Sequence, residues 1–70
     1  MSKIVFRVIA PGSAEAGPRR CLATFTQYEG GEAGARGFVS LARESKPDQE
    51  LEIEEIEVIT TINILRTIPV

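Results

Sequence analysis

Five glutamates between positions 50 and 57 are the densest group of chemically active side chains in this sequence. They are Glu50, Glu52, Glu54, Glu55 and Glu57. Alternate residues of a β-strand lie about 6.7 Å apart on one face, and one extra residue at Glu54-Glu55 would bring all five carboxylates to that face. Such a row has three possible uses: a solvated face that discourages edge pairing, a divalent-metal site, or a docking surface for a basic protein groove.

The geometry of the row separates these uses. Metal ligands must converge on one point, whereas a straight row diverges, so we expect no metal site. A solvated face explains the pattern without any partner. However, repulsion among five close carboxylates costs stability, which favours a use for them. We therefore predict that these five glutamates bind a partner, with the row standing in for a nucleic-acid backbone.

The chain lacks the residues on which most catalytic sites depend. It contains no histidine, so Ser-His-Asp and Cys-His arrangements cannot be assembled. Cys21 follows two arginines that would favour its thiolate, but we interpret it as a small strand residue that packs. The glycine-rich segment 30–37 fits neither nucleotide-binding motif, and Glu32 would repel an anion there. We expect no enzyme activity and no cofactor.

A basic set offers an alternative binding site. It consists of Arg19, Arg20 and Arg36, together with Tyr28, the aromatic residue best placed to stack on a base. A pI near 5.0 argues against direct nucleic-acid binding. Binding of single-stranded nucleic acid through these residues therefore stays a third possibility.

The net charge of −2 conceals an asymmetry along the chain. Residues 1–43 carry six basic and three acidic side chains, whereas residues 44–70 carry two basic and seven acidic ones. The two halves thus differ by eight charges, which points to a charged binding surface in the second half.

Length and composition predict a single domain over residues 1–70. The chain has one cysteine, so an intrachain disulfide cannot form, and this usage fits a reducing cytoplasm. We read no signal peptide in the first residues. Polar residues interrupt the most apolar stretch, 56–68, which argues against a membrane span.

Periodicity predicts the elements that would position these residues. Alternation indicates strands over 3–10 and 21–28, and a hairpin is the simplest connection between them. Apolar residues at i, i+3, i+4 and i+7 predict a helix that opens at 29–32 and continues to Glu44. The glycines of this helix, Gly34 and Gly37, suggest close packing on the sheet. Residues 51–68 indicate one strand with a bulge at Glu54-Glu55, or two strands joined by a tight turn.

The predicted fold is therefore α+β, with the order β-β-α-β and possibly a fourth strand. An antiparallel sheet would carry one helix on one face. Four apolar side chains would point away from the helix: Val5, Ile9, Ile59 and Leu65. These are too many apolar groups to leave bare on a small domain, so we expect another copy or a partner to cover them.

The helix has the form E-A-x-A-R-x-x-x-x-L-A-R, running from Glu32 to Arg43. Together with the preceding strand pair and the final charged strand, it resembles small phage-encoded proteins of the anti-CRISPR type. That resemblance implies an inhibitor that occupies a DNA-binding or nuclease surface of a host defence complex. Several inhibitors of this type bind through acidic faces.

Taken together, these patterns lead us to expect a non-enzymatic protein-binding module, a phage inhibitor that uses the five glutamates against a basic groove. The alternative is a structural or regulatory homo-oligomer that uses the apolar second sheet face.

Overall fold

A computed structural model describes residues 3–15 and 17–70 of the chain. Within these residues, four strands and one helix follow one another in the order β-β-α-β-β. They are β1 (Lys3–Ala10), β2 (Arg20–Thr26), α1 (Gly31–Ser45), β3 (Glu52–Val58) and β4 (Ile62–Pro69). The predicted α+β class, with a fourth strand, is confirmed.

All four strands join one antiparallel sheet in the order β2-β1-β3-β4. The predicted hairpin from β1 to β2 is present, and β1 pairs with β3 on its other side. β2 and β4 are therefore the two edge strands. The helix packs mainly against β1 and β2, which leaves most of β4 outside its cover.

The helix forms as its periodicity predicted, with Ala35 and Val39 buried against the sheet. The chain enters the first turn of the helix through two glycines with positive φ, Gly30 at 103° and Gly31 at 53°. Residues with a side chain rarely adopt positive φ. The helix ends at Ser45, because Pro47 disfavours helical backbone in the residue before it.

The two glycines inside the helix have different surroundings. A Cβ at Gly34 would lie 3.0 Å from a ring carbon of Phe25, so the helix approaches β2 closely at this point. A Cβ at Gly37 would meet nothing within 4 Å. The prediction of close packing is therefore confirmed at Gly34 and wrong at Gly37.

Residues 51–68 form two strands, and the bulge is not where the sequence predicted it. Arg66 pairs with Glu55 and Ile64 pairs with Ile56, so the extra residue is Leu65 on β4. β3 itself alternates regularly. The alternation of apolar and acidic residues in β3 only appears to shift by one position, because Ile53 and Ile56 face opposite sides of the sheet and both are buried.

The main core lies between the helix and the side of the sheet that we call the helix face. It contains Phe6, Val8, Ala10, Ala35, Val39, Leu51, Ile53 and Ile68. The opposite side, the far face, carries a second set of buried apolar residues, Val5, Ile9 and Ile56. No helix in the described part of the chain is long and apolar enough to cross a membrane.

Candidate functional site

The five predicted partner-binding glutamates do not share one face. The β1–β3 register pairs Glu54 with Arg7 and Glu55 with Phe6, a residue of the core under the helix. Because side chains alternate along a regular strand, Glu52 and Glu54 lie on the far face, whereas Glu55 and Glu57 lie on the helix face. Glu50 precedes β3 and is exposed. The prediction of a single solvent-facing row is wrong, since β3 lacks the bulge that would create it.

Glu54 is almost completely buried, with 2% of its surface exposed. One carboxylate oxygen accepts a hydrogen bond from Arg7 at 2.8 Å, and the other accepts one from Arg19. Arg19 also lies 3.6 Å from Glu52. Glu54 is therefore the centre of a charge cluster on the far face, in which two arginines compensate for its burial.

Arg19 connects two strands that are not neighbours in the sheet. Arg19 immediately precedes β2, whereas its partners Glu52 and Glu54 lie on β3. β1 lies between those strands, so the salt bridges of Arg19 join the two neighbours of β1.

A second charge network lies on the helix face. Arg66 donates to Glu55 and, at 2.9 Å, to Glu32, and Arg36 donates to Glu32 at 2.9 Å. The hydrogen bond from Arg36 is the largest influence lowering the pKa of the Glu32 carboxyl below its ordinary value of 4.5; the charges of both arginines add to it, against partial desolvation. The hydrogen bond and the charge of Glu55 raise the pKa of Arg66. This network ties β3 and β4 to the first turn of the helix.

These contacts change the electrostatics that the sequence suggested. Glu52, Glu54 and Glu55 each lie within 4 Å of an arginine nitrogen. No salt bridge to Glu50 or Glu57 is found among residues 3–15 and 17–70. The acidic segment therefore presents separate carboxylates with compensating arginines between them.

An exposed apolar surface lies on and beside β4. We call it the β4 patch, and it consists of Ile59 (53% exposed), Ile62 (58%), Ile64 (57%) and Leu65 (49%). Ile59 lies in the turn between β3 and β4, where its N–H donates to the carbonyl of Thr61. Leu65 is the bulge residue. The first six residues of β4 are all exposed.

The predicted oligomer face is only partly bare. Ile59 and Leu65 are exposed as expected, whereas Val5 and Ile9 are buried. The sequence prediction of this face did not include Ile62 and Ile64. The register instead pairs them with Val58 and Ile56, and Ile56 with Val5 of the far face. The sequence signal for this surface was the spacing of apolar residues at every second position in both strands, at 56 and 58 in β3 and at 62 and 64 in β4.

The alternative nucleic-acid residues lie on different parts of the fold. Arg20 begins β2, whereas Tyr28 follows its other end, about 26 Å away at roughly 3.3 Å per residue. Arg36 is on the helix and pairs with Glu32, and Arg19 is tied to Glu54 on the far face. Tyr28 itself is 88% exposed. The structure does not bring the four into one surface.

Two other candidate features are modest. Cys21 is exposed and its Sγ lies 3.5 Å from the Ala23 carbonyl oxygen, so the expectation that it packs is wrong. A shallow groove at one end of the sheet is lined by Ala10, Pro11, Ser13, Glu15, Pro18, Arg20, Asp48, Gln49 and Glu50. The part of the chain described by the structure contains no group of three or more metal-ligating side chains.

In comparisons with known proteins, no protein family, no curated protein and no solved structure matches the chain.

Proposed function

We propose that this chain is a non-enzymatic protein-binding module, and that its binding surface is the β4 patch. The supporting observation is the exposure of four large apolar side chains on and beside β4, an edge strand of the sheet. Four side chains of this size, each about half exposed, leave on the order of 300–400 Å² of apolar surface, as large as patches that mark interaction sites.

Two properties of β4 support binding to another protein. Its outer edge pairs with no other strand among the described residues, so its outward N–H and C=O groups are free for an added strand. Burying 300–400 Å² of apolar surface contributes about 8–10 kcal/mol before the costs of association. Arg66, the charged residue of β4, is already held by Glu55 and Glu32.

Site-specific photocrosslinking in cells tests this proposal. A photoreactive phenylalanine analogue would replace Ile62 in one variant and Leu41 in a control. Leu41 is equally suitable, since it is 66% exposed but lies on the helix. We expect protein adducts from position 62 at several times the yield from position 41. Equal yields would contradict a binding role for the β4 patch.

The inhibitor interpretation, with the glutamates set against a basic groove of a host defence complex, receives less support from the geometry. Arginines occupy the space beside Glu52, Glu54 and Glu55, so a basic groove would have to displace them. The resemblance to phage-encoded inhibitors stays a prediction. Its test is charge reversal of the two glutamates for which the described residues contain no salt bridge, Glu50→Lys with Glu57→Lys, which should weaken such binding without disturbing the buried Glu54.

A further inference from the structure

We infer that the groove at one end of the sheet, which we call the sheet-end groove, binds a basic amino acid, a small molecule with two cationic groups and one carboxylate. The groove has a volume of about 340 Å³ and shares no residue with the β4 patch. Small-molecule sites have volumes of about 300–1,000 Å³, so a groove of this size suits a ligand with few heavy atoms.

Two connecting segments contribute the charged side chains of the sheet-end groove. The loop between β1 and β2 contributes Glu15, and the link between α1 and β3 contributes Asp48 and Glu50. Ala10, the last residue of β1, also lines the groove and pairs with Arg20, the first residue of β2. The groove therefore has carboxylates from both segments and one arginine beside Ala10.

Backbone hydrogen bonds hold both connecting segments. In the loop between β1 and β2, the N–H groups of Ser13 and Gly17 each donate to the carbonyl of the other, at 2.9 and 3.0 Å. In the link between α1 and β3, the N–H of Gln49 donates to the carbonyl of Lys46 at 3.1 Å. Because the backbone beside the groove is already ordered, a ligand loses less affinity to the ordering of loops when it binds.

The charged side chains of the groove do not neutralise one another. Among residues 3–15 and 17–70, no salt bridge or side-chain hydrogen bond is found for Glu15, Arg20, Asp48 or Glu50. Arg20 therefore lies more than 4 Å from each of the three carboxylates, although all four side chains line one groove. The space between the opposite charges is open to a ligand that carries both signs.

The signs and number of these charges select the class of ligand. A guanidinium binds a carboxylate through charge-assisted hydrogen bonds, so Arg20 is assigned to the carboxylate of the amino acid. Its ammonium group and its cationic side chain are assigned to the acidic side chains of the two segments. The described part of the chain contains no group of three or more metal-ligating side chains, so these carboxylates suit separate cationic groups. With three acidic residues and one basic residue, the groove attracts a ligand of net positive charge.

NMR titration of the chain with free lysine tests this inference. The backbone amides of Arg20 and Gln49 should shift until they saturate, with a Kd of about 1 mM, since exposed ion pairs are individually weak. The amide of Gly37, exposed on the helix, should not shift. Two related probes at the same ionic strength separate the contacts: cadaverine, which is lysine without its carboxylate, and Nε-acetyl-lysine, which lacks the side-chain charge. Each should bind about threefold to fivefold more weakly than lysine, because each lacks one ion pair.

Three variants at exposed positions assign the contacts to side chains. Arg20→Gln should reduce the affinity for lysine to that for cadaverine, and should not weaken the binding of cadaverine, because Arg20 contacts the carboxylate alone. Asp48→Asn combined with Glu50→Gln should weaken the binding of both molecules. The matched control is Glu44→Gln, which removes an exposed carboxylate of the helix outside the groove and should leave both affinities within about twofold of the wild type.

Each result has a defined meaning. Saturable shifts at the groove, a preference for lysine over cadaverine, and loss of that preference in Arg20→Gln support the inference. Shifts that do not saturate at about 20 mM lysine, well above the expected Kd, would overturn it. Equal binding of lysine and cadaverine, or a preference that survives Arg20→Gln, would overturn the assigned class of ligand. An equal loss of affinity in Glu44→Gln and in the Asp48 and Glu50 variant would show attraction to the acidic chain as a whole and would overturn the site.

Discussion

Replacing Glu54 by glutamine should destabilise the protein strongly, because this carboxylate is the buried centre of the far-face charge cluster. Glu54 accepts hydrogen bonds from Arg7 and Arg19, whose side chains are 25% and 49% exposed. A hydrogen bond to a charged group contributes about 1.5–3 kcal/mol when buried. Glutamine retains one acceptor oxygen, and solvent screens both arginines, so we expect Glu54→Gln to cost about 2 kcal/mol.

That loss is large for a chain of this length. Seventy residues are expected to give a free energy of unfolding of about 4–10 kcal/mol. A loss of about 2 kcal/mol should lower the Tm by roughly 8–16 °C in a domain of this size. Urea denaturation followed by circular dichroism should show the midpoint falling by about 2 M, at a slope near 1 kcal/mol per molar.

Glu57→Gln is the matched control on the same strand. Glu57 lies on the opposite face, with no salt bridge found for it in the described residues, so its free energy of unfolding should change by no more than about 0.5 kcal/mol. If all five glutamates formed one repulsive row, both substitutions would stabilise the protein slightly. Equal effects, or stabilisation by Glu54→Gln, would therefore refute the assignment of Glu54 to a buried cluster.

Three further predictions concern the helix and the core. Gly37→Ala should raise the free energy of unfolding by about 0.5–1 kcal/mol, since the new Cβ meets open space. Gly34→Ala should raise it by less, because the Phe25 ring must move to make room. Thermal unfolding of both variants measures this, and a larger stabilisation by Gly34→Ala would contradict the prediction. Ile53→Ala, at a fully buried site, should cost about 2–5 kcal/mol in the same assay, and a loss below 1 kcal/mol would contradict its place in the core. The pKa of the Glu32 carboxyl is lowered in the folded chain, so its contribution to stability is present above pH 4.5 and is lost as the pH falls through the pKa of the folded state. NMR titration should show that Arg36→Ala raises the pKa of Glu32. An unchanged pKa would show that Arg36 is not the cause of the shift.

The sequence alone determined the local elements. Alternation over 3–10, with β-branched residues throughout, indicated β1, and apolar spacing at i, i+3, i+4 and i+7 indicated α1, because each pattern depends only on neighbours along the chain. The α+β class followed from their order. The acidic character of residues 50–57 was equally visible, since it is a property of composition.

Only the tertiary structure decided which residues share a surface. Periodicity shows that side chains alternate, but strand register decides which phase faces the helix, and a shift of one residue exchanges the faces. In this chain both phases of β3 carry buried isoleucines, Ile53 and Ile56, so hydrophobic pattern could not identify the covered side.

The same limit explains why the sequence analysis placed the five glutamates on one face and left Ile62 and Ile64 out of the exposed apolar face. Glu54 and Glu55 look equivalent in sequence, yet long-range pairing buries one beside Arg7 and Arg19 and leaves the other with Arg66. Ile62 and Ile64 of the β4 patch are exposed on the far face of an edge strand, and that placement is set by the pairing of β4 with β3. Ile59 and Leu65 of the β4 patch were therefore predicted from the sequence, whereas the exposure of Ile62 and Ile64 was decided by the fold.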